Sequence, residues 1–337
     1  MAYVQQAPAW FLWLASLGAL YVAAFLSRLL VYLAHCLRRP EDLRLRYGTW
    51  AVVTGPTSGI GRSIALELAR RGINLVLVDL NADNLHEVSG TIMSRHAVQI
   101  MAVVFDLSVV STPKGDAALR RLRDAVKKLD VGILVNNAGV AKPGAVFLHE
   151  ADVEAWVRMI RVNLWAVTEV TAAVLPGMVQ RGRGAVVNMG SASSEAIHSF
   201  PLHTMYSATK RRYVAQFSRS LYVEYKSKGI DVQCQAPFFV ATTMASGFVA
   251  TWRPSAFVPT ANAYARAAVG WIGKGGPLCV PNLRHRLLGW LLAAVPGGVQ
   301  DWVCLHENLR QRKMLRAARS LRASACRPHG HVMPSIE

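Results

Sequence analysis

Apolar positions along this chain follow two regimes. From Trp10 to Leu26 (WFLWLASLGALYVAAFL) there is no charged residue, and after Ser27 and Arg28 the apolar run resumes through LLVYLAHCL to Leu37. A helix of ~20 residues spans a bilayer core, so this stretch is long enough to cross one. Trp10, Trp13 and Tyr32 stand where interfacial aromatics belong, and Arg28 lies close enough to an interface to snorkel. No Lys or Arg precedes Arg28 and no clear A-x-A cleavage site follows, which favours a retained anchor over a secretory signal peptide.

From Thr49 the rhythm changes. Short apolar runs predict strands at 50–54, 74–79, 100–106, 131–136, 184–189 and 230–235. Stretches with helical spacing predict helices near 59–71, 82–95, 113–128, 151–180 and 204–228. Strands alternating with helices predict an α/β fold, a Rossmann-type doubly wound parallel sheet with right-handed crossovers, preceded by the N-terminal transmembrane helix. Beyond Pro237 the pattern is less regular: a helix over 262–273, a last strand at 277–280 and an apolar run at 286–295. That run is too short to span a bilayer and reads as a pocket-forming or interfacial helix.

Charge modifies this picture. The 337 residues hold 38 Lys and Arg against 20 Asp and Glu, a net +18. The pI near 10.3 stands beside a mean hydropathy of +0.24, which suggests membrane contact with basic flanks. A hydrophobic content of 52% excludes a disordered chain. No zinc-finger spacing or RNA-binding aromatic signature accompanies the basic excess, so no nucleic-acid partner is expected. Arg38, Arg39, Arg44 and Arg46 follow the anchor, and the positive-inside rule then puts the rest of the chain in the cytosol, on a single-pass topology. A second basic cluster runs from Arg310 to Arg327 and reads either as a solvated, disordered end or as a contact for anionic headgroups. Cys36, Cys234, Cys279, Cys304 and Cys326 form no CxxC pair, against a disulfide framework or structural zinc. His329 and His331 read as unstructured rather than as ligands, so no metal is expected.

Candidate chemistry begins where the first strand runs into Thr54-Gly55-Pro56-Thr57-Ser58-Gly59-Ile60-Gly61 and then into a helix. A Gly-rich turn in that context lets backbone N–H groups approach a pyrophosphate at a helix N-terminus. Tyr206 and Lys210 are i and i+4 on one helix and share a face. A free tyrosine ionises near pH ~10, too high for proton transfer near neutrality. A neighbouring ammonium and an oxidised nicotinamide are expected to lower that value. Asp79 ends the second strand, where a carboxylate binds both ribose hydroxyls of NAD and repels the 2′-phosphate of NADP. Leu80 offers that phosphate no cation.

With TGxxxGxG at 54–61, Asn136-Asn137-Ala138-Gly139, Asn163, Ser191 and Tyr206-x3-Lys210 in order, the chain resembles the short-chain dehydrogenase/reductase family over roughly residues 48–280. The resemblance implies that Gly55, Thr57, Ser58, Gly59, Ile60 and Gly61 line the dinucleotide and that Asp106 contacts its adenine. It implies that Asn137 belongs to a motif closing over the adenosine, that Val240 and Thr242 meet the nicotinamide end, and that Lys210 holds the ribose. It further implies catalysis by Ser191, Tyr206, Lys210 and Asn163, the last positioning a water. Pro237-Phe238-Phe239-Val240-Ala241-Thr242 carries Phe238 where many members have glycine. That departure resembles a membrane-bound branch of very-long-chain 3-oxoacyl-CoA reductases and 17β-hydroxysteroid dehydrogenases. RYGTWAVVTGPTSGIGR, LDVGILVNNAG and GIDVQCQAPFFVATTM are most similar to the plant-type reductases of fatty-acid elongation.

The resemblance implies reduction of 3-oxoacyl-CoA at the endoplasmic reticulum membrane, with elongation enzymes as partners. A hydroxysteroid or lipid-alcohol dehydrogenase is the alternative, and a non-catalytic scaffold is a third reading that the intact catalytic set opposes. The expected cofactor is NADH by the charge of Asp79 and NADPH by resemblance. Pairing of two copies through the helices near 151–180 and 204–228 is implied by analogy alone. The expected divisions are an anchor with basic linker (1–47), a dinucleotide-binding reductase domain (48–282), and an apolar helix with basic tail (283–337).

Overall fold

The computed structural model describes residues 8–38, 41–192, 196–246 and 255–325. The chain falls into two compact units, Met1–Glu41 and Asp42–Glu337. The first contains α1 (Ala9–Leu37), a single 29-residue helix. At ~1.5 Å per residue it is about 43 Å long, more than the ~30 Å of a hydrocarbon core. Its most apolar stretch is wholly unburied, as a candidate membrane span should be.

The second unit opens with the short α2 (Leu43–Arg46) and continues through β1 (Trp50–Thr54), α3 (Gly59–Arg70), β2 (Asn74–Asp79), α4 (Ala82–Met93) and β3 (Ile100–Val104). Next come α5 (Pro113–Lys127), β4 (Val131–Asn136), α6 (Val153–Ile160), α7 (Ala166–Arg181) and β5 (Gly184–Met189). The remainder is α8 (Thr204–Ser207), α9 (Val214–Tyr225), β6 (Ile230–Gln235), α10 (Thr243–Ser246), α11 (Ala261–Gly270), β7 (Leu278–Cys279), α12 (Leu283–Ala293) and α13 (Gly297–Ala325).

All seven strands are parallel, in the order β3-β2-β1-β4-β5-β6-β7. The two-residue side-chain period of each strand feeds two cores. Ala51, Val53, Leu75, Leu77, Ile133 and Val135 face one, with α3, α4 and α11. Val52, Val76, Val78, Leu134 and Val186 face the other, with α5 and α7. Burial on both faces is why these strands read as continuous apolar runs. The chain order reverses between β1 and β4, and a crevice opens there at the carboxyl ends of the strands.

Several predicted boundaries move, each for a local reason. β3 stops at Val104 because Asp106 turns to cap a short 3-10 helix, its carboxylate accepting from the Ser108 N–H at 2.8 Å. The helix expected over 151–180 is α6 and α7 joined by a π-helical segment at Arg161–Trp165. It is apolar enough to cross a membrane, but more than half of its apolar stretch is buried in the fold. The helix expected over 204–228 is α8 and α9 joined by a second π-helical segment, Ala208–Tyr213.

The linker expected before residue 48 is part of the fold. Asp42 caps α2, and Asp231 on β6 accepts hydrogen bonds from the buried Tyr47 hydroxyl at 2.6 Å and from Arg46 at 2.8 Å. The basic tail is likewise helical as far as Ala325, which corrects the disordered reading over that span; Arg312 is buried, while Arg310, Lys313 and Arg316 stay exposed. His329 and His331 lie outside the described residues.

Candidate active site

The crevice at the strand ends is a cleft of about 450 Å³ whose lining includes Gly55, Thr57, Ser58, Gly59, Ile60, Asp79, Asp106 and Asn137. Gly55 turns the chain out of β1 with φ +65°, and Gly59 opens α3 with φ +54°. Gly61 is required by proximity: a Cβ there would stand 2.1 Å from the Gly55 carbonyl oxygen and 2.3 Å from Asn137 Nδ2. The side chain of Asn137 is the strut under this turn, its amide donating to the Thr54 and Gly55 carbonyls at 3.1 and 3.0 Å. Thr54 Oγ1 accepts in return from the Asn137 and Ala138 backbone N–H groups at 3.0 and 3.1 Å. The Thr54 role has no signal beyond its place before Gly55.

Asp79 accepts from the Thr57 hydroxyl at 2.8 Å and from the Leu80 N–H at 2.7 Å, so both carboxylate oxygens are oriented at the cleft edge. Its neighbours there are Leu80, Asn81 and Asn84, none of them cationic. Arg158 also lines the cleft, and nothing in its sequence surroundings marks it. Shape and donor set fit an extended dinucleotide: a close-approach Gly turn at a helix start, a carboxylate at the second strand, and polar groups along the floor.

Asn163 and Lys210 both sit in π-helical segments, which place their side chains against one another's elements. Asn163 is fully buried and its amide braces the loop after β4, accepting from the Val140 N–H at 2.8 Å and donating to the Val140 carbonyl at 2.9 Å. The water-positioning role implied by resemblance is thus joined by a bracing one. Gly139 leaves the room: a Cβ there would lie 3.2 Å from Lys210 Nζ and 3.3 Å from Asn163 Oδ1.

Tyr206 and Lys210 line the same cleft. Lys210 is buried, donates to the Met189 carbonyl at 2.9 Å, and burial brings its ammonium down to about 8. Burial pushes the Tyr206 phenol above its usual value, with a hydrogen bond to Ser191 pulling partly against it. Burial of Tyr206 therefore outweighs the lowering expected from the Tyr-Lys spacing. Lys210 is itself desolvated, and the positive charge of a bound oxidised nicotinamide would act beside its ammonium to favour the phenolate.

Beyond Tyr206 the cleft meets a smaller cavity of about 120 Å³. Ser191 and Tyr206 stand at its polar end, and Ile197, Phe200, Phe238 and Phe239 form apolar walls. Val240 and Thr242 line this cavity, and Thr242 reaches the larger cleft as well. Among the described residues, no group of three or more His, Cys, Asp or Glu could hold a metal ion.

Three comparisons agree with this arrangement. A relative from Arabidopsis thaliana, named very-long-chain 3-oxoacyl-CoA reductase-like protein, is 40% identical over 93% of this chain and 99% of its own. Another from Pongo abelii, named inactive hydroxysteroid dehydrogenase-like protein 1, is 38% identical over 77% of this chain and 79% of its own. A solved short-chain dehydrogenase from Sphingobium yanoikuyae in complex with NADPH superposes with a TM-score of 0.61 at 28% identity, over 85% of this chain and 98% of that one. The family profile for short chain dehydrogenase matches residues 49–251, the span that holds the Gly turn, the buried Asn163 and the Ser191–Tyr206–Lys210 group, and the chain belongs to that family of oxidoreductases.

Proposed function

We propose that the chain reduces the 3-oxo group of long 3-oxoacyl-CoA thioesters to the 3-hydroxy group, in very-long-chain fatty-acid elongation. The observation that carries this reading is the placement of Ser191 and Tyr206 where a dinucleotide-sized cleft opens into an aromatic-walled apolar cavity. That junction suits a substrate with one polar carbonyl and an aliphatic chain. The relative from Arabidopsis thaliana, similar over nearly the whole chain, supports the substrate class.

In this reading Ser191 and Tyr206 hydrogen-bond the 3-oxo oxygen and orient the carbonyl carbon. A bound nicotinamide nucleotide supplies the hydride that forms the new C–H bond. Tyr206 gives its phenolic proton to the oxygen as charge develops there, completing the alcohol. Lys210, its ammonium held at the Met189 carbonyl, stabilises the resulting phenolate and holds the nucleotide ribose. Asn163 keeps the loop after β4 against this pair.

Asp79 directs the nucleotide choice to NADH, because a 2′-phosphate would meet an oriented carboxylate with no cation beside it. Relative kcat/KM with the two nucleotides tests this, and a strong NADPH preference refutes it. A hydroxysteroid substrate is the second reading, favoured by the apolar cavity walls and by the name of the Pongo abelii relative. Nicotinamide absorbance with 3-oxoacyl-CoA and hydroxysteroid panels separates the two: turnover of steroid alone overturns the acyl-CoA reading.

We place the protein in the endoplasmic reticulum membrane from α1 and from the resemblance to the elongation reductases, and we orient it with α1 crossing once and the catalytic unit cytosolic from the arginines after α1. A glycosylation acceptor inserted before α1 should be modified, and one inserted after α13 should not. Elongation enzymes are the expected partners. Exposed Trp165 and Val223, on the two long helical stretches, are where a second copy would pair.

A further inference from the structure

The helices α12 and α13 follow the last strand and lie beyond residues 49–251, the span of the family profile. Among the described residues, their buried polar side chains are His285, Gln300, Asn308 and Arg312. Each of them has at least one partner outside the helical pair, and the Gln300 amide also donates to the Leu292 and Val295 carbonyls within it.

His285 is fully buried on α12 and bridges one wall of the substrate cavity. Its Nδ1 accepts from the Phe238 N–H at 3.3 Å, which leaves the Nε2–H to donate to the Phe257 carbonyl at 3.1 Å. The Phe238 ring meets the imidazole edge-on at 5.6 Å. Phe238 occupies the place where many family members carry glycine, so this wall needs a support that a glycine turn would not. Arg284, one residue earlier, donates to the Ala256 carbonyl at 2.8 Å.

The opposite wall is held from α13. Gln300 accepts from the His198 N–H at 2.8 Å, and Asp301 accepts from the Ser199 hydroxyl at 2.5 Å and lies 3.1 Å from His198 Nδ1. Asn308 donates to the Pro201 carbonyl at 2.7 Å. These bonds bracket Phe200, and His198 follows Ile197, the two apolar residues this wall contributes to the cavity. Between the walls, a Cβ at Gly289 of α12 would lie 3.7 Å from Phe238 and 3.8 Å from Ala196, so the helix rests against both.

We propose that α12 and α13 brace the walls of the substrate cavity from behind, with His285 and Asp301 as positioning residues that fix the distance between those walls and so select for a long aliphatic chain. This rests on the acyl-CoA reading above. A loop pinned through its backbone is already ordered when substrate arrives, so less ordering entropy opposes binding. A short substrate that touches only Ser191 and Tyr206 gains nothing from the outer walls, whereas a long one does.

The test is steady-state kinetics of the full-length, membrane-inserted enzyme with short and long 3-oxoacyl-CoA, plus nucleotide Kd. For His285→Leu and Asp301→Ala, KM for the long substrate should rise about 5- to 10-fold, as expected for one or two lost wall hydrogen bonds. The short-substrate KM, both kcat values and the nucleotide Kd should stay within about two-fold. His285→Gln, which keeps one acceptor and one donor, should recover part of the long-substrate KM. Equal rises in both KM values, a nucleotide Kd that rises with them, or an unchanged long-substrate KM would each overturn the proposal. If His285→Leu does not fold, Asp301→Ala on the more exposed side of the pair reads the same split. Should the parent enzyme turn over hydroxysteroids and no acyl-CoA, the substrate reading fails by itself. The wall roles are then judged by the same split between a bulky and a small ketone.

Discussion

Replacing Gly61 by alanine adds one methyl group to a place that has no room for it. The new carbon would stand 2.1 Å from the Gly55 carbonyl oxygen and 2.3 Å from Asn137 Nδ2, and the nearer atom is backbone that cannot swing away. Either α3 shifts away from the turn or Asn137 gives up its bonds to the Thr54 and Gly55 carbonyls. Overpacking costs about 1–3 kcal/mol, and each lost hydrogen bond adds about 0.5–1.5 kcal/mol. A total of about 2–6 kcal/mol is large beside the ~5–15 kcal/mol that holds a domain folded. At ~2–4 °C per kcal/mol the Tm should fall by about 4–24 °C. Nucleotide affinity should weaken more than ~10-fold, because the turn that admits the pyrophosphate has moved.

The control is Gly90→Ala on α4. It is the same chemical change at a helical, exposed position with nothing within 4 Å of the added carbon. There the lower backbone entropy of alanine should stabilise by about 0.5–1 kcal/mol. Thermal unfolding and nucleotide fluorescence titration of both variants read the comparison. If Gly61→Ala melts within a degree of the parent and binds nucleotide as well, the account of the turn is wrong.

Tyr206→Phe should abolish turnover while leaving nucleotide Kd unchanged; a cellular phenotype that survives the change would favour the scaffold reading. Asp231→Ala removes the acceptor of the buried Tyr47 hydroxyl at 2.6 Å and should cost about 1–3 kcal/mol in denaturant unfolding, with Asp231→Asn recovering part of it. Burial brings His203 from 6.5 down to about 4. The unfolded chain then binds a proton that the folded one refuses, so stability is intact above pH 6.5 and drains away as pH falls toward 4. The loss approaches ~3 kcal/mol. His203→Phe should flatten that slope in urea melts across this range, and an unchanged slope would assign it to other groups.

Legibility in the sequence differs from residue to residue. The strands of the sheet and the Gly turn are readable because their signals are local: a run buried on both faces, and glycines between a strand and a helix. Tyr206 and Lys210 are readable from spacing, although the π-helical segment at Ala208–Tyr213 that helps seat Lys210 is not. Thr54 is marked only by its place before Gly55 and Arg158 carries no local mark, since their roles depend on β4 and on the cleft rather than on their neighbours. The tail reads as a run of charges because burial of Arg312 beside Glu150 requires a loop over a hundred residues away in sequence.

Sequence alone determined the long apolar N-terminal helix, the doubly wound architecture and the order of the chemical groups, because period, length and glycine placement act within a few residues. Only the tertiary structure decided the proton affinities of Tyr206 and Lys210. It also decided that α2 belongs to the enzyme's fold and that α12 and α13 hydrogen-bond to the loops carrying Phe238 and Phe200. Desolvation and long-range hydrogen bonds come into existence only when distant segments meet.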